Sequence, residues 1–184
     1  MSNSIYNAIC DLVSIFNEHK LDYLIGGSIS SSLNGIFRTT NDIDVLVEKP
    51  LSELPKVVES LSVAFIVNKE MLVAQHSRGR SYNIFHEETA LKIDLFPATN
   101  DFNQKQLKRA ISVNPETANC SFKIATAEDI ILAKLQWLKQ SDSERQRSDI
   151  SGVLNTNEDR LDFDYLNRWA DKLGVRSELE SVKS

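Results

Sequence analysis

The sequence predicts an α/β (α+β) fold that ends in a helical tail, and three observations carry that prediction. Residues 42–48 and 91–96 alternate apolar and polar side chains, the period of a half-buried strand. Helical runs are interleaved with such segments over residues 1–124. From Ala125 onward only helical spacing is found, so residues 125–184 read as a C-terminal helical region packed on the first part.

The elements follow in order. Ile5, Ile9, Leu12, Val13 and Phe16 recur at helical spacing and predict an opening amphipathic helix. Asp22 to Ile25 reads as a short strand that runs into Gly26-Gly27-Ser28, with a short helix to about Asn34 and Gly35 as its C-cap. Arg38 to Asn41 is a polar loop, and Asp42 to Glu48 is a strand that Pro50 ends. Leu51 to Leu61 is expected to be helical despite Pro55, and Val63 to Val67 a strand. Met71 to Gly79 gives no clear pattern. Tyr82–Phe85 and Leu91–Phe96 are expected to be antiparallel strands joined by the turn His86-Glu87-Glu88-Thr89. Asp101 to Arg109 reads as a helix, with short strands at 111–113 and 120–124. Thr126-Ala127-Glu128-Asp129 resembles a capping box and starts a helix continued by Ile130, Ile131, Leu135 and Leu138. Further helices are expected at about 143–154 and 163–173, the second ending before Gly174.

Composition narrows the class. The 184 residues suit one domain, or one with a helical appendage, and 41% hydrophobic residues suffice for a core. No apolar run approaches the ~20 residues of a membrane span, and no signal peptide is readable at the N-terminus. No membrane partner is expected. Cys10 and Cys120 fit no metal or redox spacing and are expected to be free thiols in a reducing cytoplasm. The net charge of −5 argues against global attraction to nucleic acid. A local basic groove is still compatible with it, as is an acidic cluster for divalent metal.

Asp42-Ile43-Asp44 is the most informative segment. Strand residues i and i+2 share a face, so both carboxylates project together while Ile43 turns inward. Such a pair repels itself unless a cation compensates it, and Mg²⁺ or Mn²⁺ takes hard oxygen ligands of this kind. Asp94, in the alternating run Lys92-Ile93-Asp94-Leu95-Phe96, supplies a third carboxylate if its strand lies beside the first. Three carboxylates can hold two ions for an in-line displacement. The alternative is a set of structural aspartates on a solvated face, paired for example with Arg38 or Lys92. Upstream, Gly26-Gly27-Ser28 sits at a strand-to-helix junction. Backbone N–H groups there suit a phosphate, although no Walker A lysine follows.

Gly27-Ser28, thirteen residues, Asp42-Ile43-Asp44 and a later strand aspartate together resemble the signature of DNA polymerase β-like nucleotidyltransferases. The strings 23–28, 35–44, 82–86, 92–96 and 128–135 are similar to the branch holding abortive-infection toxins and uncharacterised bacterial nucleotidyltransferases. So are Arg145-Gln146, Asp149-Ile150, Asp164-Tyr165-Leu166 and Trp169-Ala170 in the tail, so the resemblance spans nearly the whole chain. The tail departs from the branch at Arg147-Ser148, where an aromatic residue after Arg-Gln and a basic residue before the aspartate are usual. The resemblance implies a minimal mixed sheet flanked by helices. It also implies transfer of a nucleoside monophosphate from an NTP to an acceptor hydroxyl, with pyrophosphate leaving. It gives Gly27 and Ser28 the triphosphate, Asp42 and Asp44 both metals, and Asp94 the second metal and the acceptor's proton. The partners expected are the NTP, an acceptor such as tRNA, other RNA, a protein or an antibiotic, and an antitoxin. The rival is a catalytically silent nucleotide-binding or antitoxin module.

Other residues extend this reading. Lys134 lies inside the apolar stripe of its helix, either as a cation for phosphate or carboxylate or as a snorkelling lysine. Arg38 is placed to clamp phosphate in bidentate fashion. Thr39 and Thr40 are given no chemistry. Arg145 and Asp149 are spaced for a helix-surface ion pair. His76, Arg78 and Arg80 are read as either acceptor-binding or solvated loop residues. Trp137, Tyr165 and Trp169 are expected in the core.

Overall fold

The computed structural model describes residues 3–35, 42–141 and 143–183. The chain divides into two compact units, residues 1–28 with 39–125 and residues 29–38 with 126–184.

The first unit is built on a seven-stranded mixed sheet. Its strands are β1 (Tyr23–Ile25), β2 (Asp42–Val47), β3 (Phe65–Ile66), β4 (Tyr82–His86), β5 (Lys92–Pro97), β6 (Ile111–Val113) and β7 (Phe122–Ile124). They lie in the order β3-β4-β5-β2-β1-β7-β6. β2 pairs with β5 and β1 with β7 in parallel, and the other neighbours are antiparallel. The predicted 82–85/91–96 hairpin is present. The opening helix α1 (Asn3–Glu18) buries Ile5, Ile9, Leu12, Val13 and Phe16, the residues whose spacing predicted it. It packs on β7 and on α3 (Pro55–Leu61). The expected helix over 51–61 is split into a 3-10 turn at Leu51–Glu53 and α3. Pro55 starts α3, where its fixed φ and missing N–H cost nothing.

The unreadable stretch contains α4 (Lys69–His76), capped by Asn68, whose side chain accepts from Met71 N–H at 2.9 Å. Its buried residues are Leu72 and His76 alone, while Met71 and Val73 are exposed, so no apolar stripe marks it. His76 is not a solvated loop residue. Leu51 N–H donates to its Nδ1 at 3.0 Å, so Nε2 carries the proton and donates to the Leu95 carbonyl at 3.2 Å. α5 (Asp101–Arg109) lies against β1 and β2.

The expectation of free thiols is overturned, because Cys10 of α1 and Cys120 before β7 form a disulfide. α1 packs on β7, which brings their Cα atoms to 5.7 Å, within bridging range. A separation of 110 residues hides that proximity in the sequence.

A short helix α2 (Gly27–Leu33) follows β1, and its residues from Ile29 onward fall in the second unit. That unit also holds α6 (Ala127–Ser141), α7 (Glu144–Asn157), α8 (Phe163–Leu173) and α9 (Arg176–Lys183). Thr126 caps α6 through Asp129 N–H, and α8 ends on Gly174 in the left-handed conformation, as expected. α9 was not expected. Tyr165 is buried and Trp169 half-buried, but Trp137 is 55% exposed and is no core residue. It stands at the edge of the α6 stripe, beside the buried Lys134 and Leu138. No described helix is long and apolar enough to cross a membrane.

Candidate metal and nucleotide site

The site grows out of strand register. β2 alternates, with Ile43 and Val45 fully buried while Asp42 is exposed and Asp44 half-buried. β5 does the same, burying Ile93 and Leu95 and leaving Lys92 and Asp94 on the other face. The parallel register places Asp42 opposite Lys92 and Asp44 opposite Asp94. All four side chains therefore emerge from one face of adjoining strands, as the period-2 argument requires.

The turn after β1 closes on this row. Gly26 N–H donates to the Asp44 carbonyl at 2.8 Å. Gly27 takes φ +52°, and a Cβ built on it would stand 1.8 Å from Asp44 Oδ2. A glycine is therefore required there both by the backbone and by the carboxylate beside it. Ser28 is the next residue and is half-buried. Two of the three aspartates are thus in register, and the glycine turn touches one of them.

The pairing with Lys92 that the structural alternative named is present. The Lys92 Nζ bridges Asp94 Oδ2 at 3.0 Å and Asp42 Oδ1 at 3.3 Å. The hydrogen bond to Asp94, then the negative charges around it, hold its ammonium above the usual lysine value against a desolvation penalty. It stands two residues before Asp94 on one strand, so the alternation that located Asp94 also located this lysine. Its pairing falls on Asp42 and Asp94, and it offsets the repulsion among the carboxylates.

The donor set fits a hard divalent cation, with carboxylates on neighbouring strands at an open face and a backbone turn close to one of them. Among the described residues, the group of three candidate ligands whose atoms all lie within 4.8 Å of one another is Asp11, His86 and Glu88; Asp42, Asp44 and Asp94 share a face but do not gather that closely. His86 there is already engaged on both ring nitrogens, by Asp11 Oδ2 at 2.9 Å and Thr89 Oγ1 at 2.8 Å. It is buried and acts as a strut between α1 and the hairpin turn.

In the helical unit, Lys134 is buried and its Nζ lies 2.7 Å from Asp149 Oδ2 and 3.4 Å from Gln146 Oε1. Asp149, expected to face Arg145 on its own helix, thus reaches across to α6 for this cation. Arg38, Thr39 and Thr40 lie outside the described residues.

Residues 6–181 match the family described as "Nucleotidyltransferase of unknown function (DUF6036)". The chain belongs to this nucleotidyltransferase family. No curated protein matches the sequence. Among solved structures, the chain is similar to the antibiotic-resistance factor ANT(2'')-Ia in solution. There the identity is 17% and the TM-score 0.53, over 98% of this chain and 94% of that one. It is similar to the lincosamide antibiotic adenylyltransferase LnuA bound to lincomycin, at 17% identity and TM-score 0.52, over 80% and 94%. It is also similar to an antigenic nucleotidyltransferase-like protein from Paracoccidioides brasiliensis, at 16% and 0.54, over 95% and 90%. The fold is that of the DNA polymerase β-like nucleotidyltransferases, and the family is one of enzymes.

Proposed function

We propose that residues 1–124 are the catalytic part of a metal-dependent nucleotidyltransferase that moves a nucleoside monophosphate from an NTP to an acceptor hydroxyl. The observation that carries this reading is the register of Asp44 against Asp94, with the Gly27 turn pressed onto Asp44. Asp42, Asp44 and Asp94 would hold Mg²⁺ or Mn²⁺. The metal would supply charge stabilisation at the transferring phosphoryl group. Gly27 and Ser28 offer backbone N–H groups and a hydroxyl to the triphosphate, and Arg38 adds a guanidinium. The acceptor oxygen forms a bond to the α-phosphorus as the bond to the bridging oxygen breaks and pyrophosphate leaves. Asp94 takes the hydroxyl proton. Lys92 holds Asp42 and Asp94 in place before the nucleotide arrives.

Lys134 was offered by the sequence as a phosphate cation. Reaching phosphate would require it to leave the carboxylate of Asp149, so we assign it to orienting that residue. The structural likeness to antibiotic adenylyltransferases makes an antibiotic the second candidate acceptor beside RNA and protein. A silent module is disfavoured because all three carboxylates are kept. An NTP substrate supports a cytoplasmic setting, and the Cys10–Cys120 disulfide counts against it. Calorimetry of each NTP with Mg²⁺ or EDTA, on wild type and Asp44→Asn, tests the reading. Binding should need the metal and should weaken in the mutant, and equal affinity under all conditions would overturn it.

A further inference from the structure

Beyond the carboxylates, the same face of the sheet continues across two more strands. Asn83 of β4 is in register with Asp94, and Phe85 with Lys92. Ile66 of β3 is in turn in register with Phe85. Two rows therefore run side by side, Asp44–Asp94–Asn83 and Asp42–Lys92–Phe85–Ile66. Ile43, Ile93 and Ile84, between the two rows, and Phe65, next to Ile66 on β3, point the other way and are buried. On the site face the opposite holds, with Phe85 42% and Ile66 62% exposed and Asn83 exposed between them and the carboxylates. This Phe–Ile pair leaves much of its apolar area in water, beside charged residues.

We propose that Asn83, Phe85 and Ile66 form the platform on which the acceptor lies, and that the acceptor carries a flat, uncharged ring next to its reacting hydroxyl. This rests on the transferase reading above. The position follows from strand order. The Gly27 turn, assigned to the triphosphate, stands on the β1 side of Asp44, and Asp94 stands on the β5 side. In-line displacement puts the attacking oxygen opposite the leaving pyrophosphate. The acceptor therefore approaches from the side of β5 that faces β4. Neighbouring strands are about 4.8 Å apart, so Phe85 lies within about 10 Å of Asp94, the span of a ring joined to a hydroxyl-bearing sugar. The new oxygen–phosphorus bond forms there, the bond to pyrophosphate breaks, and the hydroxyl proton passes to Asp94.

The chemistry of the platform selects the ring. An aromatic face and an aliphatic one give stacking area, and the Asn83 amide offers both donors and an acceptor to a ring edge. Phe85 is in register with Lys92 and Asn83 with Asp94, so the platform borders one charge of each sign and its own three side chains are uncharged. A nucleobase on its ribose fits these terms, either as a free nucleoside or as the 3′ end of an RNA.

The test uses the full chain with Mg²⁺ and α-labelled NTPs, and three acceptors: adenosine, a short single-stranded RNA with a free 3′ hydroxyl, and an aminoglycoside. Wild type should label adenosine or the RNA, and which of the two distinguishes the sources. Phe85→Ala should raise the KM for that acceptor by about tenfold or more, the usual worth of a base on an aromatic ring. The KM for NTP and the Tm should stay unchanged, and Phe85→Tyr should restore the acceptor KM. Ile66→Ser should act in the same direction more weakly. Labelling of the aminoglycoside alone would overturn the platform while leaving the transferase reading intact. So would an unchanged acceptor KM in Phe85→Ala, or Mg·NTP binding with no acceptor labelled. Failure of Mg·NTP to bind at all would overturn both.

Discussion

Gly27→Ala should separate fold from function more cleanly than loss of any carboxylate. Two costs are imposed at once. The residue sits at φ +52°, where an L side chain costs roughly 1–2 kcal/mol. Its new Cβ would also stand 1.8 Å from Asp44 Oδ2 and 2.7 Å from Cγ. Restoring an ordinary contact of about 3.5 Å requires the carboxylate to move by roughly 1.7 Å. The obstructing atoms are the end of a side chain, so Asp44 can swing aside at a rotamer cost of about 0.5–1.5 kcal/mol. The sum is roughly 2–3 kcal/mol, which a domain of ordinary stability survives. Catalysis does not tolerate the same shift, since a misplacement of about 1 Å costs on the order of 100-fold. Gly26→Ala is the control, because its Cβ would meet only Leu24 Cδ1 at 3.8 Å and the Asp44 carbonyl at 4.0 Å. Thermal unfolding and NTP-transfer rates should be measured on both variants. Gly27→Ala should stay folded with Mg²⁺ affinity and transfer sharply reduced, and Gly26→Ala should resemble wild type in both. Equal transfer rates in the two variants would refute the claim that the turn fixes Asp44.

Further outcomes follow from other contacts. Lys92→Met should destabilise the metal-free protein by leaving Asp42 and Asp94 to repel each other, and Mg²⁺ should recover the loss in a melting experiment. Lys134→Met should destabilise the fold by removing the cation from the buried Asp149, and adding Asp149→Leu should recover part of the loss in denaturant titrations. Burial holds the His76 ring below the usual histidine value, so the folded state keeps it neutral while the unfolded chain takes up a proton near pH 6.5. Stability from this site is therefore full above that pH and is lost as the pH falls toward the lowered folded value. A Tm–pH profile should show a drop there that is absent in His76→Gln. Reduction of the disulfide should lower the Tm, because the bridge closes a loop with a sequence separation of 110, worth roughly 4–5 kcal/mol in the chain-entropy model.

What the sequence revealed was whatever obeys a short period. Asp42, Asp44 and Asp94 were legible because a strand repeats every two residues, and α1 because five apolar residues repeat at helical spacing. The Lys92 bridge was written in that same period but carried no distinct motif. α4 escaped because only Leu72 and His76 of its residues face inward. α9 escaped for a similar reason, since Leu179 is its one buried residue. The disulfide was illegible because it depends on α1 packing against a strand more than 100 residues away. Trp137 misled because size and spacing suggested burial, while the helix carries it at the edge of its apolar stripe.

The charges of the row suggest how the site would load. Asp42, Asp44, Asp94 and Lys92 carry a formal charge of −2 together, which favours a divalent ion. A triphosphate settling against Gly27 and Ser28 would add further negative charge. Metal affinity should therefore rise when NTP is present. Asp44 is the residue on which both events bear, because it alone lies between the glycine turn and Asp94. The position where a Cβ would displace the Asp44 carboxylate is thus the one through which nucleotide and metal would sense each other. A fold built for stability alone would have had no reason to press a backbone turn against a carboxylate there.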